Sequence, residues 1–304
     1  MTTVLNVPCT NRPNPFSKPI QTLLTPSNLS SAPTPDETAA QLVNSVTTSS
    51  DPTNALWELW DAFFTAVVTS RTSHDSHLAL LGALHAQPPT QLKGRARSSL
   101  GSYIETDGKL HWQTLPRFSA QWQDVHDILE AWRDWDGVRS GAGDNSTISA
   151  LSNSGDEYFL RFCVFSAALL KATKGKGEVH PIWVFYACRD LLEHEGPQPR
   201  PPKAHRMSSK QLWALDVRIA AIWMRDGGWA LWDTDYDELR RHWAAALDDQ
   251  TELWPREDGL TRERWRLWGE RLQALSTEGI LDKETRVVVT EAAEVVGGIL
   301  EGST

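Results

Sequence analysis

Cysteine is scarce, with Cys9, Cys163 and Cys188 making three in 304 residues. An odd, widely spaced set builds no disulfide framework. Cys163 and Cys188 fall among apolar residues, where a thiol behaves as a small hydrophobe. The expectation is a reducing compartment, the cytoplasm. Positive charge is also short. Lys and Arg number 30 against 39 Asp and Glu, a formal net charge of −9. That balance excludes a nucleic-acid partner, whose phosphates call for clustered basic groups. The one basic cluster, Lys93, Arg95 and Arg97, reads as a solvated loop. Long hydrophobic runs are missing as well. The longest, Phe162 to Leu170, is far too short for a membrane span, and no charged-then-apolar secretory signal opens the chain. The G-x-S-x-G, P-loop and G-x-G-x-x-G patterns do not occur, which removes the common hydrolases, nucleotidases and dinucleotide enzymes. No cofactor is expected. His74 and His77 lack the H-E-x-x-H context of a zinc site. Asp233, Asp235 and Asp237 open like a calcium loop, but Glu238 and Ala244 stand where that loop needs Gly and Glu.

Tryptophan is what the chain has in excess: 15, against 8 Phe and 4 Tyr. Most of these tryptophans recur at helical spacing. Leu56, Trp60, Phe63 and Val67 share one face, with Trp57 and Phe64 beside it. Phe118, Trp122, Val125, Leu129 and Trp132 form a second stripe, widened by Ile128 and Trp135. Trp265, Trp268, Leu272 and Leu275 form a third, and Val288, Ala292, Val295 and Ile299 mark the last helix. Thr34-Pro35-Asp36-Glu37 has the composition of a capping box with proline at the first helical position. The fold class predicted is all-α, an irregular helical bundle or short α-solenoid of about nine helices. Residues 1–33, rich in proline, read as a disordered tail, and 34–304 as one helical domain. Flexible loops are expected near 88–114, 137–153 and 196–208.

Three segments carry a resemblance. Trp112-Gln113-Thr114-Leu115-Pro116-Arg117-Phe118 is similar to a W-x-x-L-P-x-F entrance to a helix. Ile182-Trp183-Val184-Phe185-Tyr186-Ala187-Cys188-Arg189-Asp190-Leu191-Leu192-Glu193 is the second, and Ala220 to Gly228 the third, with its A-A-x-W followed by Gly. Together they resemble an all-helical family of ascomycete fungi described as a domain of unknown function. The resemblance implies a fungal, intracellular, helical protein and transfers no activity and no catalytic residue.

The sharpest local anomaly is Asp226. The apolar stripe of its helix runs Leu212, Leu215, Ile219, Ile222, then position 226, then Trp229. A carboxylate there must be paired or have its pKa moved, and such acids gather at functional sites. Arg189 follows an all-apolar helical half and would satisfy Asp226 in an Arg189–Asp226 pair. The bland alternative is a structural ion pair, or a helix frayed by Gly227-Gly228 that frees Asp226 into water. Trp223, Trp229, Trp232 and Trp243 are the residues expected to line a ligand cavity with Asp226 and Arg189. Asp248, Asp249 and Glu252 have the D-D-x-x-E spacing by which terpene cyclases hold magnesium, a remote alternative because five-residue acidic matches arise by chance. The leading expectation is a non-catalytic binding or protein-interaction module. The alternative is an enzyme or ligand carrier of fungal secondary metabolism that takes a small apolar molecule into an aromatic pocket.

Overall fold

Helix starts follow the capping chemistry written into the chain. In the computed structural model, which describes residues 14–25, 33–94, 98–135, 155–197 and 206–302, Thr34 Oγ1 accepts from the Glu37 amide at 3.2 Å, and the Glu37 carboxylate accepts from the Thr34 amide at 2.8 Å. This is the capping box expected from the sequence, with Pro35 at the first position. Asp51 caps the next helix ahead of Pro52, and Ser208 with Gln211 closes a second box.

Eleven α-helices form among the described residues, so the all-α expectation holds with two more helices than expected. They are α1 Ser17–Leu24, α2 Pro35–Thr48, α3 Pro52–Thr69, α4 Asp75–His85, α5 Phe118–Trp132, α6 Gly155–Thr173, α7 Ile182–Leu192, α8 Ser209–Trp232, α9 Tyr236–Leu247, α10 Arg262–Ser276 and α11 Lys283–Glu301. Helix α1 corrects the expectation of a disordered tail over residues 17–24. Its Ile20 is fully buried, and Phe16 just before it is buried too, which anchors a short helix that propensity alone does not hold. The segment at 88–114 is not merely a loop. It holds a two-stranded antiparallel sheet, β1 Thr90–Gln91 with β2 Lys109–Leu110, and two 3-10 helices, Ser98–Tyr103 and Trp112–Thr114. Residues 1–13 and 26–32 of the expected tail, the 137–153 loop, residues 198–205 of the proline-rich connector, and Arg95 and Arg97 of the basic cluster lie outside the described residues.

The chain divides into two compact units, residues 1–131 and 132–304. The core of the first is aromatic. Trp60 meets Phe118 edge-on at 5.1 Å between ring centroids, and Phe64 lies 5.2 Å from the same ring. Trp60 Nε1–H donates to the Pro116 carbonyl at 2.7 Å, and Trp112 Nε1–H donates to Thr90 Oγ1 at 2.7 Å. The W-x-x-L-P-x-F segment is therefore a structural clasp. Its Trp112 and Phe118 are fully buried, and Leu115 adopts a left-handed backbone (φ 40°) to turn the chain into α5. The α5 stripe is buried through Leu129. Trp132, expected on the same stripe, closes the helix and is 41% exposed, and Trp135 beyond it is 42% exposed.

In the second unit α8 is central and packs against α6, α7 and α11, while α10 packs against α7 and α11. Glycine makes the closest approach possible. A Cβ on Gly227 would lie 2.5 Å from Leu170 Cδ2 and 2.6 Å from Val184 Cγ2. Gly227-Gly228 therefore does not fray a helix end, because α8 continues to Trp232 and the pair lies where other helices press on it. Gly227→Ala is expected to destabilise the protein by about 1–2 kcal/mol net, overpacking outweighing the gain in helix propensity. Urea unfolding measures it, and a more stable variant would contradict the close packing at this crossing.

The buried face of α11 sits about one residue off the expected one. Val289, Ala292, Ala293, Val296 and Ile299 are buried, and Val288 and Val295 are half-buried. Val295 is left to line a groove.

Candidate functional site

Three helices of the second unit bring charged side chains to one place. Lys171 comes from the last turn of α6, Arg225, Asp226 and Trp229 from the second half of α8, and Glu291, Glu294, Val295 and Gly298 from α11. They line an open groove of about 660 Å³. The α8 stripe explains the placement. Leu212, Leu215, Ile219 and Ile222 are buried in turn, and the same face then carries Asp226 and Trp229 out to the groove.

Asp226 is not in bulk water, since only 8% of its side chain is exposed. Arg225 Nη2 lies 2.5 Å from its Oδ2, and Lys171 Nζ donates to its Oδ1 at 2.9 Å. Arg225 reaches onward to Glu291 at 3.3 Å. Burial pushes the Asp226 carboxyl up, but the hydrogen bonds and charges of Arg225 and Lys171 more than offset it, and its pKa ends below the usual carboxylate value. The Arg225 guanidinium is correspondingly held more firmly protonated, first by its hydrogen bond to Asp226 and despite some burial.

The expected Arg189–Asp226 pair is replaced by separate local ones. Arg189 Nη2 lies 2.6 Å from Asp190 and Nη1 3.5 Å from Asp249, with its guanidinium 5.3 Å from the Tyr186 ring centroid. Helix geometry is the reason: Asp226 finds a cation on the adjacent residue and another on α6. Of the four tryptophans expected to line a cavity, only Trp229 lines this groove. Trp223 is 2% exposed in the core. Trp232 packs edge-on against Trp265 at 5.4 Å. Trp243 sits at a kink in α9 (φ −131°, ψ 23°), 4.2 Å from the His180 ring. Helical spacing placed these rings on helices, but not on a common wall.

The D-D-x-x-E acids do not converge either. Asp248 pairs with Arg240, Asp249 approaches Arg189 at 3.5 Å, and Glu252 lies 3.5 Å from His194 and accepts from the Glu195 amide at 3.1 Å. Among the described residues, the side chains close enough to share a metal ion are His126, Asp127 and Glu130, all from α5. His126 stacks on Trp122 at 5.4 Å and meets Asp127 at 3.3 Å.

The strongest polar constellation was missed by pattern reading. Glu193 and Arg264 are both fully buried and paired. Arg264 Nε donates to Glu193 Oε1 at 2.6 Å and Nη2 to Oε2 at 2.9 Å, while Trp268 Nε1–H and Thr251 Oγ1–H add bonds at 2.9 and 2.7 Å. A signal existed. Arg264 sits four residues before Trp268 on the apolar α10 stripe, just as Asp226 follows Ile222. Lys171, Glu291 and Glu294 carried no such signal, because they are ordinary surface charges until three helices meet.

Residues 60–272 match the family described as protein of unknown function (DUF3632). No curated protein and no solved structure matches the chain.

Proposed function

We infer that this chain, which belongs to the DUF3632 family and takes no assigned activity from it, is a non-catalytic binding protein that grips its partner in the α6–α8–α11 groove. The observation that carries this reading is Trp229. Trp132, Trp135 and Trp229 are the exposed tryptophans among the described residues, and Trp229, at 46%, is the one that lines this groove. An indole left open to water is unfavourable on its own, and tryptophan is enriched where binding energy concentrates. The groove chemistry supports recognition over catalysis. Asp226 is held ionised by two cations, which suits a fixed charge and not a general acid near neutral pH. Among the described residues, the groove lining has no serine, cysteine or histidine to act as nucleophile or proton shuttle. A carrier of small apolar molecules draws less support, because the aromatic residues expected to enclose such a ligand pack in separate places. A cytoplasmic setting fits the buried Cys163 and Cys188.

The test is selection of a displayed random-peptide library against the wild-type chain, followed by affinity measurement on wild type and Trp229→Ala. Selected peptides are expected to lose at least about tenfold in affinity on the variant. Peptides that bind both proteins equally would place recognition elsewhere and overturn the reading.

A further inference from the structure

The groove's charges are unequally used. Lys171, Asp226, Arg225 and Glu291 form one linked chain of ion pairs, with contacts of 2.9, 2.5 and 3.3 Å. Each cation in it already faces a carboxylate. Glu294 is exposed, lines the same groove, and has no ion-pair partner among the described residues. It lies one helical turn before Gly298 on the same face of α11. At Gly298 a Cβ would stand 3.6 Å from Trp229 Cζ2, and at Gly302 3.9 Å from Cη2. The benzo edge of Trp229 therefore lies within van der Waals reach of the C-terminal end of α11, in the groove that Glu294 also lines.

Resting on the reading of this groove as the binding site, we propose that its occupant is a polypeptide that presents a basic side chain, Lys or Arg, over the Trp229 indole and into an ion pair with Glu294. An aromatic face attracts a cation through its quadrupole, and an unmatched carboxylate beside it attracts the same charge. Val295, half-buried, next to Glu294 in sequence and lining the same groove, offers apolar contact for the alkyl stem. An anionic partner meets the opposite situation. It would confront Glu294 and have to pull Arg225 or Lys171 away from carboxylates they already hold. A free small cation is also a poor fit. Recognition of an isolated ammonium relies on a cage of several rings, and this open groove contributes one. The remaining affinity must come from neighbouring contacts along a chain, which three helices with a continuous groove can supply.

The experiment uses the full chain with its tryptophan indoles labelled with nitrogen-15. The Trp229→Phe spectrum assigns the Trp229 signal. Penta-arginine, penta-lysine and penta-glutamate are titrated into wild type, Glu294→Gln, and Glu270→Gln as a control acid exposed on α10. The Trp229 signal is expected to shift saturably with the two basic peptides and not with penta-glutamate. Glu294→Gln is expected to weaken that response about three- to tenfold, and Glu270→Gln to leave it within about twofold of wild type. Equal responses in wild type and Glu294→Gln, a response to penta-glutamate, or no response at all would each overturn the proposal. Display-selected peptides that contain no Lys or Arg, yet lose affinity on Trp229→Ala, would overturn the cationic occupant and leave the groove as the binding site.

Discussion

Glu193→Ala is expected to destabilise the protein by about 3–5 kcal/mol, the usual cost of leaving a buried charge without its partner. The Arg264 side chain has no exposure, so its guanidinium cannot recover hydration when the carboxylate is gone. Its remaining contacts are the carbonyls of Leu247 at 2.6 Å and Gly259 at 3.0 Å, and the faces of Phe185 and Trp254 at 4.8 and 5.6 Å. Those groups ease the burial but do not neutralise it. The truncation also orphans the Trp268 indole N–H and the Thr251 hydroxyl, each of which donates to Glu193. Replacing both partners with apolar residues of similar size, Glu193→Leu with Arg264→Met, is expected to recover the part of the loss due to the uncompensated charge, while the Trp268 N–H, the Thr251 hydroxyl and the Leu247 and Gly259 carbonyls stay without the pair's hydrogen bonds. Urea unfolding of the two single variants and the double variant measures the coupling. A Glu193→Ala cost below about 1 kcal/mol would mean that water reaches the site. The node also has a local role. Leu253 donates its amide to the Glu193 carbonyl at 3.0 Å, so the segment between α9 and α10 is tied to the end of α7 and the residues just after it at three points, the third being the Glu195 amide donating to the Glu252 carboxylate. Faster amide exchange over residues 249–260 in Glu193→Ala is the local signature to seek.

The second large effect is a pH dependence set by Asp61. This residue lies on α3, is 3% exposed, and its Oδ1 has no hydrogen-bond partner among the described residues. Burial pushes its pKa up from an ordinary 3.8 to about 7. A hydrogen bond with Asn14 opposes the shift, and the nearby Glu58 charge adds to it. The sign follows from proton counting. The folded protein keeps a proton on Asp61 up to about pH 7, whereas the unfolded chain releases it near pH 4. Folding is therefore favoured below pH 4, loses stability as pH rises from about 4 to about 7, and stays at the lower level above that. Asp61→Asn keeps the shape without the charge. It is expected to be more stable than wild type at pH 8, by a margin on the order of 1–4 kcal/mol, with the margin closing below pH 4. Melting temperatures of both proteins across pH 4–8 test this. A gap that does not change with pH would show that the Asp61 charge is not what the fold resists. Asp226 has the opposite slope. Its pKa is depressed, so its contribution is present at neutral pH and is lost only as pH falls through the acid range.

Helices, caps and most buried faces were legible from residues three and four apart. The Thr34–Glu37 box, the α10 stripe and the Trp60–Phe63 face are all local, and one turn of helix contains the information that makes them. Helix α1 was not legible, because a short helix in a proline-rich stretch owes its existence to Ile20 and to packing against α3. Asp226 was legible as an acid on an apolar stripe. Its partner was not, because a sequence pattern ranks positions on one helix and says nothing about which cation a second helix delivers.

What the sequence by itself determined is the set of amphipathic helices and the acid that interrupts the apolar stripe of α8, Asp226. Helical periodicity is a short-range property, and every residue needed to see it lies within a turn or two. Only the tertiary structure decided that Asp226 meets Lys171 and Arg225, that Arg264 meets Glu193, and that Trp229 stays exposed beside Glu294. Those outcomes depend on where α6, α7, α8, α10 and α11 cross. The crossings are set by close packing at positions such as Gly227, through contacts between residues far apart in the chain.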